Sequence, residues 1–230
     1  MTDVTPEQAI VALTALADPV RADQMRAYHK IDRPYLGVAV PHIEGLVRDW
    51  RAGASIEGRV ALARGLWNSG VHEAMVAAAK LLTQARIRPD DTAVWDLVAT
   101  WAEGFQGWAV ADHAAKAGER RLVADPARLD RVAAWTTHPN MWTRRAALVM
   151  TLPWARLNHP KPADLAVRER VLDWAAGYVA DRDWFIQKSI AWWLRDLSRH
   201  DADRARDWLA AHGAGLKAFA RKEAARHLPA

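Results

Sequence analysis

The stretch Asp181 to His200, DRDWFIQKSIAWWLRDLSRH, decides the fold class. Taken as a helix, it sets Ile186, Ile190, Trp193 and Leu197 at i, i+4, i+7 and i+11, the spacing of one buried face. Lys188, Trp192, Arg195 and Arg199 repeat that spacing two residues later. At about 100° per residue the second stripe falls roughly opposite the first. One side is core, and the other gathers three cations around an indole. Exposed apolar area is unfavourable, so the indole implies a partner. Cations interleaved with an aromatic suit a nucleic-acid backbone beside an unstacked base. A neighbouring helix lying over Trp192 satisfies the pattern too, because helices in multilayer α proteins often bury two faces.

Working outward, nearly every segment reads as helix, and no stretch sustains period-2 alternation. Thr5-Pro6-Glu7-Gln8 predicts a helix start with a capping box, followed by the apolar positions Ile10, Leu13 and Leu16. Further helices are expected from Pro19 to Lys30, over 42–52, 55–69 and 71–85, and from Pro89, with Asp90 and Asp91 in its first turn. Others are expected over 105–118, 126–137, 140–152, 164–179, 183–198, 201–212 and 215–227. Ile31 to Pro41 and Asn158 to Pro162 read as loops. Helices of this length, paired every 30 to 40 residues or so, suggest stacked helical pairs, a divergent solenoid whose second helices line a concave binding face. An irregular bundle is the alternative, and all-α holds for both. We expect one α-solenoid domain over residues 1–230.

The 230 residues are 51% hydrophobic and 26% charged, a globular balance. There are no cysteines, which excludes disulfides, thiol catalysis and thiolate metal sites. No apolar run approaches the roughly 20 residues that span a bilayer. The first ten residues lack the basic and apolar regions of a signal peptide, so a cytoplasmic protein is expected. The net charge of +5 is uneven. Residues 1–140 carry 16 Lys and Arg against 17 Asp and Glu, whereas residues 141–230 carry 16 against 10. That surplus points to an acidic partner, nucleic acid first. Thirteen tryptophans against three tyrosines and three phenylalanines make a stacking surface easy to build.

Arg145 shares a stripe with Met141, Leu148 and Leu152. A guanidinium there needs a carboxylate, a carbonyl or a phosphate, and both an internal ion pair and a phosphate contact answer that need. Between Asp91 and His113 the tryptophans Trp95, Trp101 and Trp108 lie near Asp96, Glu103 and Asp112. Carboxylates beside indoles suit acid–base or charge-stabilising chemistry, and equally suit helix capping or pairing with arginines. The histidines show no metal-ligand spacing, and there is no glycine-rich phosphate loop and no nucleophile elbow. Neither a metal nor a cofactor is expected.

Tyr28-His29-Lys30, followed by Pro34-Tyr35-Leu36-Gly37-Val38, resembles the first signature of the HEAT-like-repeat DNA alkylation repair glycosylases. Leu66-Trp67 with His72-Glu73, Trp95-Asp96-Leu97-Val98, and Asn140-Met141-Trp142 through Arg145-Ala146-Ala147 continue the resemblance. Phe185-Ile186-Gln187-Lys188 and Arg221-Lys222-Glu223 with His227-Leu228 complete it, so it covers most of the chain. The resemblance implies a curved α-solenoid holding duplex DNA in a basic concave cleft, and excision of alkylated purines without full insertion of the base into a pocket. It matches Trp95 and Trp192 to two tryptophans that contact the lesion's deoxyribose, Arg145 to a backbone-holding arginine, and Tyr28 to an aromatic near the same cleft. The family pattern Trp-Asp-x-Val-Asp ends here on Ala99, where the carboxylate is expected.

A nearby carboxylate stabilises the oxocarbenium-like state of N-glycosidic hydrolysis and activates its water, which alanine cannot do. Asp96 and Asp112 are the candidate substitutes. The expected function is recognition of alkylated purines in duplex DNA by a monomer, with base excision if a substitute serves. Lys188, Arg195 and Arg199 join Arg145 on phosphates. A non-catalytic binder of distorted duplex and a protein–protein scaffold are the alternatives.

Overall fold

Side-chain oxygens of Thr5, Asp18, Ser55, Asn140, Asp183 and Asp201 each accept a backbone N–H from the turn that follows, which starts six of the helices. The computed structural model describes residues 4–228. It is 73% helix, with no strand among the described residues. The chain divides into two compact units, one ending at Ala124 and the other beginning at Asp125.

The first unit contains α1 (Pro6–Thr14), α2 (Pro19–His29), α3 (Val40–Gly53), α4 (Ile56–Asn68), α5 (His72–Leu82), α6 (Thr92–Glu103) and α7 (Trp108–Ala124). Helices α1, α4 and α6 pack in one row and α3, α5 and α7 in another, with α4 on α5 and α6 on α7 joining the rows. Helix α5 is buried at every position except Lys80. Its run of alanines lets neighbouring backbones approach closely, so a helix can be enclosed on nearly all sides.

One carboxylate organises the entry to this unit. Glu73 is fully buried and accepts the backbone N–H groups of Leu36 at 2.9 Å and Gly37 at 2.7 Å. The same loop is held by Asp18 N–H on the Leu36 carbonyl and His72 N–H on the Pro34 carbonyl. Gly37 has φ +78°, and a Cβ there would lie 2.1 Å from the Asp18 carbonyl oxygen. Only glycine fits that close approach.

In the second unit a 3-10 turn (Pro126–Arg128) leads into α8 (Leu129–Trp135). It is followed by α9 (Met141–Val149), α10 (Leu152–Ala155), α11 (Pro162–Gly177), α12 (Trp184–His200), α13 (Ala202–His212) and α14 (Ala218–Ala224). Helix α12 touches α9, α10, α13 and α14. Ile186, Ile190, Trp193 and Leu197 are all completely buried.

Several boundaries depart from the periodicity, and α7, expected over 105–118, runs Trp108–Ala124. Helix α6 starts at Thr92 and not at Pro89, because the Asp90 carboxylate accepts the Thr92 N–H and hydroxyl, while Asp91 is drawn to Arg121. The expected helix over 140–152 is two, α9 and α10. Thr151 turns its hydroxyl back onto the Ala147 and Leu148 carbonyls, and Pro153 supplies no N–H to continue the ladder. The segments expected over 126–137 and 215–227 are shorter helices, each preceded by a 3-10 turn.

Glu73→Ala is expected to lower the unfolding free energy by about 3–5 kcal/mol, since two buried N–H donors lose a charged acceptor and a cavity opens. Urea unfolding would show this as a lower midpoint at unchanged slope.

Candidate nucleic-acid interface

The ends of α2, α5 and α7 bring an aromatic and histidine cluster together in the first unit. Tyr28 and His29 close α2, His72 opens α5 and Trp108 opens α7. His29 stacks on Tyr35 at 5.9 Å and on His72 at 5.0 Å between ring centroids, and Tyr35 stacks on His72 at 5.0 Å. Tyr28 meets Trp108 edge-on at 6.2 Å. Both of these last rings face outward: Tyr28 is 70% exposed and Trp108 37%. A cleft of about 570 Å³ lies against this cluster, and its lining includes His29, His72, Val76, Trp108, Asp112 and His113. Trp108 and Asp112 stand four residues apart on α7, hence one above the other on a single helix face.

Burial sets the protonation here. His72 is driven from 6.5 to about 3, first by loss of water and then by the nearby His29, Arg33 and His113. His29 is lowered by burial and then by Arg33, with Glu73 opposing. His113 is lowered by burial and then by Lys80, with Asp112 and Glu44 opposing. The imidazoles are therefore neutral near pH 7 and add no charge to a cleft that Lys80, Asp112 and Lys116 also line. Arg33, itself lowered by burial, donates to Met75 Sδ and to Gln106 Oε1.

The residues singled out from sequence fall in several environments. Trp95 is 5% exposed and Ala99 0%, both in the core of the first unit. Asp96 and Glu103 are exposed on the outer side of α6, and Asp112 is half-buried at the cleft. In the second unit Arg145 is 4% exposed on α9, its guanidinium 5.9 Å from the Trp142 ring centroid. Trp192 is half-buried on α12. Lys188 pairs with Glu223 of α14, and Arg195 reaches the same carboxylate at 2.7 Å and Asp196 at 3.3 Å. Arg199 is exposed and donates to His227 Nε2 at 3.0 Å. Helix α14 thus lies along the polar side of α12. Two cations share Glu223, which leaves a partial surplus of positive charge.

The sequence reading did not assemble the group formed by His29, His72, Trp108, Asp112 and His113. One signal was available: Trp108 and Asp112 have the four-residue Trp-to-Asp spacing of the family pattern. The stacked histidines left no such signal, because they lie about forty residues apart and meet through the loop that Glu73 holds. Among the described residues no three His, Cys, Asp or Glu side chains are grouped to hold a metal ion. No helix among them is long and apolar enough to cross a membrane.

A family model described as DNA alkylation repair enzyme matches residues 9–228. The fold is similar to that of a predicted DNA alkylation repair enzyme from Enterococcus faecalis. That likeness has a TM-score of 0.75 and 19% identity, over 92% of this chain and 96% of the other. It is also similar to AlkD2 from Streptococcus mutans, with a TM-score of 0.61 and 19% identity, over 91% of this chain and all of the other. No curated protein sequence matches.

His72 makes stability depend on pH with a definite sign. Between pH 6.5 and about 3 the unfolded chain binds a proton at this position that the folded chain excludes. The contribution is therefore present above 6.5 and is lost as pH falls, with a limiting slope of about 1.4 kcal/mol per pH unit. His72→Phe keeps the ring and is expected to flatten this acid limb when urea midpoints are compared across pH.

Proposed function

The chain belongs to the DNA alkylation repair enzyme family, and from that premise we propose that it binds duplex DNA carrying alkylated purines and hydrolyses the lesion's N-glycosidic bond. The observation that carries this reading is the pairing on α7 of an outward-facing indole, Trp108, with Asp112 one turn later, beside Tyr28. In this reading Trp108 takes the place against the deoxyribose first given to Trp95, and Asp112 takes the carboxylate role missing at Ala99. Trp95 is 5% exposed and Ala99 0%, both on the apolar arc of α6.

The chemistry asks little more of the protein. An N-alkylated purine is cationic and departs as a neutral base when the C1′–N bond breaks. Positive charge then develops on the sugar, and a carboxylate held close stabilises it. The same carboxylate takes a proton from the water whose oxygen adds to C1′. Asp112 can serve both ends, because a half-buried anion interacts more strongly than one in open water. The second unit would contribute phosphate contacts through Arg145 and Arg199 and a packing surface at Trp192. Lys188 and Arg195 would bind phosphate in competition with Glu223. Their prior pairing is the one observation that favours the protein–protein scaffold reading instead, which requires little DNA affinity at physiological salt.

Release of free 7-methylguanine or 3-methyladenine from methylated duplex DNA, followed chromatographically, tests the proposal. Asp112→Asn is expected to cut the rate roughly 10²–10³-fold, the scale of a lost preorganised electrostatic group, with duplex affinity kept. Asp96→Asn, on the outer side of α6, should match the parent. Equal rates for Asp112→Asn and the parent would remove Asp112 from the mechanism. No release by the parent would remove the hydrolytic half of the proposal.

A further inference from the structure

A second hollow, of about 370 Å³, opens where α3, α5 and α7 run side by side, and Glu44, Arg48, Arg51, Lys80, His113 and Lys116 lie around it. Four of these side chains are permanent cations. Lys80 is matched by Glu44 at 2.7 Å, and Lys116 by Glu119 at 3.2 Å. Arg48 and Arg51 make no ion pair among the described residues. They stand three residues apart on α3, on one side of the helix, so both guanidinium groups serve the same opening.

This concentration of charge is local. Residues 1–124 carry 14 Lys and Arg against 15 Asp and Glu, a net charge of −1, yet the hollow keeps two cations in excess. Uncompensated arginines around a concavity suit an anion with several acceptor oxygens, and a guanidinium grips phosphate with two parallel N–H groups. The hollow is also continuous with the cleft at Trp108. Lys80, His113 and Lys116 line both, and His113 directly follows Asp112. An anion seated there would lie beside whatever occupies the cleft, and phosphate beside sugar is the repeating arrangement of a nucleic-acid strand.

We propose that this hollow is a phosphate subsite that takes one backbone phosphodiester of the strand whose nucleotide lies at Trp108 and Asp112, with Arg48 and Arg51 as its principal donors. The subsite rests on the reading of that cleft as a nucleotide site. Its electrostatic half stands without base excision, since phosphate contact needs no bond cleavage. Arg48 and Arg51 would set the register of the strand, leaving Asp112 to face one sugar.

The test is equilibrium binding of an unmodified duplex, read by fluorescence anisotropy over a range of salt concentrations. The parent is compared with Arg48→Gln/Arg51→Gln and with Arg120→Gln, an exposed arginine outside the hollow. Loss of both donors to that one phosphate should flatten the slope of log K against log salt by about 1 unit and weaken binding roughly tenfold at low salt. Arg120→Gln should leave both unchanged. Coincident curves for the double variant and the parent would overturn the subsite, and urea midpoints would establish that both are folded. Stabilisation by millimolar inorganic phosphate that needs Arg48 and Arg51, with no change in duplex binding, would reassign the hollow to a free anion and overturn the phosphodiester. Base release assayed on the same variants separates the two proposals. A changed slope without excision by the parent retains the subsite and removes the hydrolysis, whereas excision with an unchanged slope does the reverse.

Discussion

A carboxylate cut off from water has to be satisfied entirely by protein, and Glu73 meets that requirement with the backbone of a loop. Its two bonds to the Leu36 and Gly37 N–H groups bind the segment after α2 onto the first turn of α5. Everything at the mouth of the first unit follows from that attachment. His29, at the end of α2, and Tyr35, within the loop, are brought onto His72, and Tyr28 is left facing outward against Trp108. Hydrogen bonds to an ionised acceptor are stronger than neutral ones, so a single buried charge can define a loop that has no regular structure of its own. The enclosure of α5 works in the same direction: a helix buried on nearly all sides gives its first turn little freedom to shift.

The second unit solves a comparable problem by other means. Helix α12 has one wholly apolar side, closed by its neighbours, and one mixed side, along which α14 lies. Lys188 and Arg195 keep long aliphatic stems against the helix while their charged ends meet on Glu223. Half-buried Trp192 stands between Lys188 and Arg195 in sequence on α12, the helix along which α14 packs.

The helical class was legible because period and capping agreed along the chain. Thr5, Asp18, Ser55 and Asp183 stand where helices begin, and the four apolar positions of α12 are buried as their spacing requires. Boundaries were lost where a side chain turned back on its own backbone, as at Asp90 and Thr151, since such bonds compete with the helical ladder without disturbing the hydrophobic period. The candidate site was legible in kind and shifted in place. On α6 the exposed positions Asp96, Thr100 and Glu103 form the only polar stripe, so Trp95 and Ala99 fall within its apolar arc. Periodicity locates that arc but not the row of helices to which it belongs. That knowledge comes from packing, and α7 lies beside α5 and α3 where the cationic and aromatic groups gather. Arg48, Lys80 and Lys116 lie more than thirty residues apart in sequence, and no local pattern announces their meeting.

Glu223 has a further consequence. A carboxylate lodged between two cations resembles the anion those cations would otherwise attract, so any incoming phosphate has to evict a resident. Its net gain is then a difference between two similar attractions, which is small for casual encounters and large only where other contacts accumulate. A repair protein that must let go of intact strands quickly profits from such weakness. In the proposed duplex-binding role, α14 would act as a brake on loitering, built from one acidic side chain.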